Sequence, residues 1–322
     1  MIYTVTLNPA LDYVVQSDRL RPGEVNRVTG EEILPGGKGI NVSLVLKELG
    51  IASVNLGFVA GFTGDAFLKA LEQRKLQSEF IEVDNGFTRI NVKMKAKEET
   101  EINGQGPVIT ADAVCRLKNK IGELKAGDVL VLSGSLPKGV SSDLYKELMG
   151  IVKDKAVRVA VDVGGALLKG VVEEKPFLIK PNLDELEEFF DTEIASKEEA
   201  VTYARKLKQM GPENVLVSMA KEGAILIDAK NRLHEIGICK GKVVNSVGAG
   251  DSMLAGFIAG ILEKAEAGKP EGGKCSYEEA QYAAQYAAQY ALELGTACGA
   301  ATAFSMGVGT KEQIYHLLEE LK

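Results

Sequence analysis

The sequence predicts an α/β fold, with a largely parallel central sheet flanked by helices and a small β-sheet lid. Three observations predict it. Short, continuously apolar, β-branched runs recur along the chain, as strands covered on both faces require. Amphipathic stretches alternate with them, the rhythm of a layered α/β protein. Two stretches, 13–34 and 87–106, break that rhythm by being strand-like yet more polar.

The expected strands are 2–7, 54–59, 129–133, 157–161, 177–180, 215–219 and 224–228. Helical patterns between them cover 141–153, 183–190 and 197–210. Within the more polar stretches, Arg89-Ile90-Asn91-Val92-Lys93-Met94-Lys95 alternates polar and apolar residues, which suits a strand with one face exposed. Near the C-terminus, AQYAAQYAAQYALELG repeats about every four residues. Ser276 and Glu279 form a capping-box pattern ahead of it, and Gly295 is expected to stop that helix. Tyr282, Tyr286 and Tyr290 form a slowly drifting stripe, read as a face that packs on neighbouring elements.

Composition narrows the function. The 322 residues are 45% apolar and 26% charged, enough for a large core, and residues 1–322 are read as a single domain. Net charge is −7 without a basic block, so no nucleic-acid partner is expected. No apolar run is long enough to span a bilayer. MIYTVTLNPALDYVV has neither a basic leader nor a cleavage pattern, so a cytoplasmic protein is expected. The four cysteines, Cys115, Cys239, Cys275 and Cys298, are scattered, and only two histidines occur. That argues against a structural zinc site and a disulfide framework.

Four constellations can carry chemistry. The first is Val244-Asn245-Ser246-Val247-Gly248-Ala249-Gly250-Asp251-Ser252, followed by apolar residues at helical spacing. A dinucleotide loop needs GxGxxG after the first strand, but here the sixth position is Met253 and the motif lies late in the chain. A phosphate loop of the GxxxxGK[ST] type is also missing. What remains is a helix N-terminus at Gly248, Ala249 and Gly250, whose amides and dipole favour an anion. Asp251 there is either a helix-start acid or a proton acceptor.

The second, Leu34-Pro35-Gly36-Gly37-Lys38-Gly39-Ile40-Asn41-Val42-Ser43, also leads into a helix, ending at Leu49-Gly50. Asn41 in its first turn and the Lys38 cation suit a polar, hydroxylated ligand. The third, Lys180-Pro181-Asn182-Leu183-Asp184-Glu185, ends an apolar strand, where ligands of open α/β sheets bind. Asn182 and Glu185 share a helical face and either orient a hydrated Mg²⁺ or cap the helix. The fourth is Asp12 in TLNPALD, a carboxylate placed for sugar hydroxyls or for a surface turn.

Together these segments resemble the ribokinase-like, or PfkB, family of carbohydrate kinases. GGKGINVSLVLKELG is similar to its N-terminal signature. NSVGAGDSMLAGF is similar to its C-terminal signature, with Ser246 where the family usually has Thr, and KPNLDE to its NxxE element. TLNPALD, VNR, TRINVK and ETEINGQGP resemble the branch that acts on sugar phosphates.

The resemblance implies a ribokinase-like three-layer fold whose lid clasps a second copy into a homodimer. It implies transfer of the ATP γ-phosphoryl group to a sugar phosphate. Fructose 1-phosphate is the first acceptor expected, at its 6-hydroxyl, and tagatose 6-phosphate is the alternative. Asp251 would be the catalytic base, with the Gly248–Gly250 amides around the transferring group. Asp12, Gly37 and Asn41 would bind sugar hydroxyls, and Arg27, Lys38 and Arg89 the acceptor's phosphate. Lys180, Asn182, Ser218, Lys221, Gly223, Gly248 and Gly250 would bind ATP, and Glu185 would hold Mg²⁺ through water. Two rivals stand outside this class, a dinucleotide-dependent oxidoreductase and a non-catalytic sugar-phosphate-binding protein.

Overall fold

The computed structural model describes residues 1–267 and 277–321. In chain order the first half holds β1 (Ile2–Thr6), β2 (Ala10–Gln16), β3 (Gly30–Gly36), α1 (Lys38–Glu48), β4 (Ser53–Ala60), α2 (Gly61–Gln73), β5 (Gln77–Ser78), β6 (Ile81–Val83), β7 (Arg89–Lys95), β8 (Thr100–Asn103), α3 (Ala111–Gly122), β9 (Val129–Ser133) and α4 (Leu144–Val152). The second half holds β10 (Arg158–Asp162), α5 (Gly165–Val171), β11 (Leu178–Ile179), α6 (Leu183–Phe190), α7 (Lys197–Gln209), β12 (Asn214–Ser218), β13 (Ala224–Ile227), β14 (Leu233–Ile236), α8 (Ala249–Ala267), α9 (Tyr277–Ala303) and α10 (Lys311–Glu320).

The main sheet runs β14-β13-β12-β11-β10-β9-β1-β4-β5, with β6 also paired to β4. Strands β1, β4, β9, β10, β11 and β12 are parallel, and the hairpin β13–β14 closes one edge antiparallel. Helices cover both faces. Leu130 and Leu132 of β9 pack with α3 and α4, among others, while Val129 and Val131 face the layer of α1, α8, α9 and α10. Side chains alternate between faces along a strand, so burying both faces demands an unbroken apolar run. That is why the 129–133 segment has the boundaries its sequence predicts, while α6 over 183–190 is bounded by its own cap.

The second sheet has four strands, β3-β2-β7-β8. It takes only the ends of the first polar stretch, because residues 17–29 form a loop rather than strand. β2 also starts earlier than expected, at Ala10.

One expectation fails in the C-terminal helix. Gly295 does not stop it, since α9 continues to Ala303. The glycine serves close approach to α8, because a Cβ there would come within 2.8 Å of the Met253 carbonyl oxygen. Gly256 and Gly260 of α8 meet α9 in the same way, at 2.7 Å from Leu294 O and Ala291 Cα. The tyrosine stripe packs in part: Lys264 Nζ lies 4.0 Å from the Tyr290 ring centroid, and the Tyr290 hydroxyl donates to Glu263 at 3.0 Å. Ser276 and the side chains of Glu279 and Tyr282 lie outside the described residues. No helix among the described residues is long and apolar enough to cross a membrane.

Candidate active site

The carboxyl edge of the parallel sheet opens into a cleft of about 980 Å³. Its floor comes from the turns after β3, β10, β11 and β12, and its roof from one face of the small sheet. Of the residues singled out in the sequence, Asp12, Gly37, Lys38, Asn41 and Arg89 line it, and so do Lys180, Asn182, Glu185, Ser218, Gly248, Gly250 and Asp251. Arg27, Lys221 and Gly223 do not line it. Arg27 sits exposed in the 17–29 loop, and Lys221 is exposed in a short 3-10 turn. Gly223 has φ +85°, and a Cβ there would lie 2.0 Å from Ile236 O, so its backbone turns the chain into β13.

Asp251 lies in the first turn of α8 and is 6% exposed. The first amides of a helix have no intrahelical acceptor. Gly248, at φ +82°, lets the chain turn into α8 close to Asn41, whose Nδ2 a Cβ there would approach to 3.3 Å. The loop is braced from behind. The amides of Val244 and Asn245 donate to Ala303 O, and Ser252 Oγ hydrogen-bonds Thr302 Oγ1 at 2.8 Å. The end of α9 therefore holds the glycine loop in place.

Asn41, in the first turn of α1, donates from Nδ2 to Asp251 Oδ2 at 2.8 Å. Burial, and next the Asp162 carboxylate, push the Asp251 carboxyl up to about 6, against the opposing pull of Asn41, Lys38 and Lys180. A carboxylate so raised is a better proton acceptor near neutral pH than an ordinary one.

Asp162 is the residue that sequence reasoning missed. Lys38 Nζ donates to its Oδ1 at 2.9 Å, and Lys180 Nζ lies 3.3 Å from its Oδ2. Burial alone would raise its carboxyl, but Lys180 and Lys38 together hold it below the ordinary range. Burial likewise acts to lower Lys38, and Asp162 outweighs it. The available signal was its place directly after the apolar run of β10, at a strand carboxyl end.

On the roof, Asp12 accepts from Asn91 Nδ2 at 2.9 Å and pairs with Lys93 Nζ at 3.0 Å. Asn91 and Lys93 were also missed, although the alternation of β7 turns them to the face opposite Ile90 and Val92. Arg89 Nε donates to Asn8 O at 3.0 Å. At the floor, Asn182 and Glu185 form a reciprocal capping box. Asn182 Oδ1 accepts from Glu185 N at 2.7 Å, and Glu185 Oε2 accepts from Asn182 N at 2.9 Å. Glu185 Oε1 faces Gly164, whose missing side chain leaves room there.

A second, smaller cavity of about 250 Å³ adjoins Lys38 and Arg89 and is lined by Thr6, Asn8, Ser133 and Ser135. Thr6 Oγ1, Asn8 Oδ1 and Ser133 Oγ are buried there without a hydrogen-bond partner. Buried polar atoms are rarely left so, and three around one cavity beside two cations form a polar cradle.

A family model described as pfkB family carbohydrate kinase matches residues 5–314. The chain is 44% identical to 1-phosphofructokinase of Bacillus subtilis (strain 168) over 322 residues, covering 100% of this chain and 99% of that one. It is 39% identical to D-tagatose-1-phosphate kinase of Bacillus licheniformis over 310 residues, 96% of this chain and 94% of that one. A solved structure of phosphofructokinase-2 from Escherichia coli in complex with fructose-6-phosphate superposes with a TM-score of 0.86 at 25% identity, covering 99% of this chain and 98% of that one.

Proposed function

The chain belongs to the pfkB family of carbohydrate kinases, phosphotransferases with an alcohol acceptor, and from that premise we propose that it transfers the γ-phosphoryl group of ATP to fructose 1-phosphate at the 6-hydroxyl, giving fructose 1,6-bisphosphate. The observation that carries a phosphorylated acceptor is the small cavity. Thr6, Asn8 and Ser133 offer unpartnered polar atoms there, and Lys38 and Arg89 supply positive charge at its edge. An unphosphorylated sugar has no need of two cations.

In this reading the acceptor's phosphate sits near Lys38 and Arg89, and its hydroxyls meet Asp12, Gly37 and Asn41. Asp251 takes the proton of the attacking hydroxyl, and the Gly248, Ala249 and Gly250 amides stabilise charge on the transferring phosphoryl group. Lys180, Asn182 and Ser218 bind the nucleotide. Lys221 and Gly223 join them if the turn after β12 closes over the phosphates. Mg²⁺, when bound, neutralises charge on phosphate oxygens. The residues fit it, since Mg²⁺ keeps most of its waters and needs few carboxylates. Glu185 would hold it through water, with Oε1 beside the space at Gly164.

The small sheet acts as a lid on a single domain spanning 1–322, and the protein works in the cytoplasm as a homodimer joined through that sheet. Support for the dimer comes from the face opposite Asp12. Ile33, Tyr13, Val92 and Ile102 lie in one row across the four strands by their pairing register. Ile33 is 60% exposed and Ile102 66%, an apolar row that a second copy's sheet would cover.

The second reading is a tagatose phosphate acceptor, favoured by the 39% identity to D-tagatose-1-phosphate kinase and by the tagatose 6-phosphate alternative that the sequence raises. A coupled assay with fructose 1-phosphate, fructose 6-phosphate, tagatose 1-phosphate and tagatose 6-phosphate separates them. The highest kcat/KM is expected with fructose 1-phosphate. A higher value with either tagatose phosphate overturns the first reading, and no turnover with any of the four favours a non-catalytic binding protein.

A further inference from the structure

Asp162 has no part in the chemistry set out above, yet it lines the cleft. It ends β10 and is 2% exposed. Lys180, which follows the neighbouring strand β11, is 5% exposed. A buried ion without its counter-ion is strongly unfavourable, so these two account for each other. Lys38 needs an account of its own. As the first residue of α1 it stands where the helix dipole repels a cation, and Asp162 Oδ1 at 2.9 Å holds it there.

Both lysines also lie in the field of Asp251. Lys180 Nζ is 3.3 Å from where a Cβ of Gly250 would be, next to the first turn of α8. Even so, among the ion pairs of the described residues both ammonium groups go to Asp162, and Asp251 takes the neutral Asn41 amide. The hold on Lys180 is the longer of the two, 3.3 Å to Asp162 Oδ2 against 2.9 Å from Lys38 to Oδ1.

We propose that Asp162 is a positioning residue that keeps the Lys38 and Lys180 ammonium groups off Asp251 in the free enzyme and releases them to the bound phosphates, Lys38 to the acceptor's and Lys180 to the nucleotide's. This role rests on the kinase reading given above. Without Asp162 the next carboxylate acting on Lys38 is Asp251, and Lys180 lies in the same field; a carboxylate held by two ammonium groups is a weak base. The charged and polar groups facing Asp251 are Asp162 from β10, Lys38 and Asn41 from α1, and Lys180 from the turn after β11.

The test is a pH titration of the Asp251 side-chain carboxyl by carbon NMR in the free, aspartate-labelled protein. Its signal is assigned by its loss in Asp251→Asn. Asp162→Asn should lower the midpoint by about one unit, the size expected for removing a neighbouring like charge. The double variant Asp162→Asn/Lys180→Met removes the buried pair as a neutral unit, a change that folded proteins often tolerate. Its net charge change is zero, and because Asp162 acts on Asp251 more than Lys180 does, fixed lysines predict only a small drop. The positioning role predicts a drop as large as that in Asp162→Asn, because Lys38 turns to Asp251. A drop in the double variant of less than about half a unit overturns the proposal, as does an unchanged midpoint in Asp162→Asn.

The titration uses no substrate. A wild-type protein that phosphorylates no sugar phosphate would therefore defeat the kinase reading, while the midpoints still decide whether Asp162 holds the lysines. Where turnover is measurable, Asp162→Asn should lower kcat at pH 8 at least about tenfold and move the acid limb of kcat/KM down in pH.

Discussion

Two helices begin on glycine-led loops at the same edge of the sheet, and their first turns carry opposite charges. α1 starts with Lys38, and α8 has Asp251 in its first turn. By the helix dipole alone the lysine is misplaced and the acid is welcome. The cleft reverses both expectations. Lys38 is held firmly charged by Asp162, whereas burial and the same Asp162 lift the Asp251 carboxyl to about 6. Local helix rules are worth at most about 2 kcal/mol, and burial of a carboxylate beside another one outweighs them. A bond across the two starts, Asn41 to Asp251, makes them one site.

The sharpest way to break this comparison is to remove the acid. Asp251→Asn should leave the fold intact by circular dichroism and lower kcat by about 10²–10⁴-fold, the range for general-base assistance. Near-normal turnover in a coupled assay would return Asp251 to the rank of a helix-start residue.

A smaller effect is expected on the cationic side of the cleft. Arg89→Glu places negative charge beside the small cavity next to Lys38. KM for the sugar phosphate should rise roughly 10–100-fold, the scale of a lost charged contact at about 1.4–2.7 kcal/mol, while KM for ATP changes less than about threefold. Equal rises would remove the phosphate role from that side of the cleft.

Smaller again is the link between the two helix starts. Asn41 stabilises the ionised form of Asp251, so Asn41→Leu should raise the carboxyl further. The base must be deprotonated to act, so activity falls as pH drops through about 6 in the wild type. In Asn41→Leu that acid limb should move to higher pH by about half a unit to one unit. A limb that moves down, or stays, would mean that the amide does not act on the base.

The same contrast explains what could be read from the sequence. The strand at 129–133 was legible because β9 is buried on both faces, and the helix at 183–190 because its cap and apolar pattern are local. Both glycine loops were legible for the same reason. Asp162 was not, because its meaning lies in Lys38, 124 residues away. The bond from Asn41 to Asp251 spans 210 residues. Gly295 was misread because a glycine that ends a helix and one that lets two helices touch look alike without the partner, here Met253 O at 2.8 Å.

The smallest expected effect is thermodynamic, and it tests whether Asp251 is strained by its surroundings. Its carboxyl lies near 6 in the folded protein against 3.8 as an ordinary aspartate. The folded state therefore holds the proton more tightly than the unfolded one. Stability from this group is fully present below about 4 and is lost as pH rises through about 6. At pH 8 the ionised carboxylate is a net cost of about 1–3 kcal/mol, which Asp251→Asn relieves. The variant should melt a few degrees above the wild type at pH 8, and the gap should shrink toward pH 5. If instead the variant melts lower at pH 8, the two lysines stabilise the Asp251 carboxylate more than burial and Asp162 oppose it. The contrast between the two helix starts would then reduce to their opposite charges.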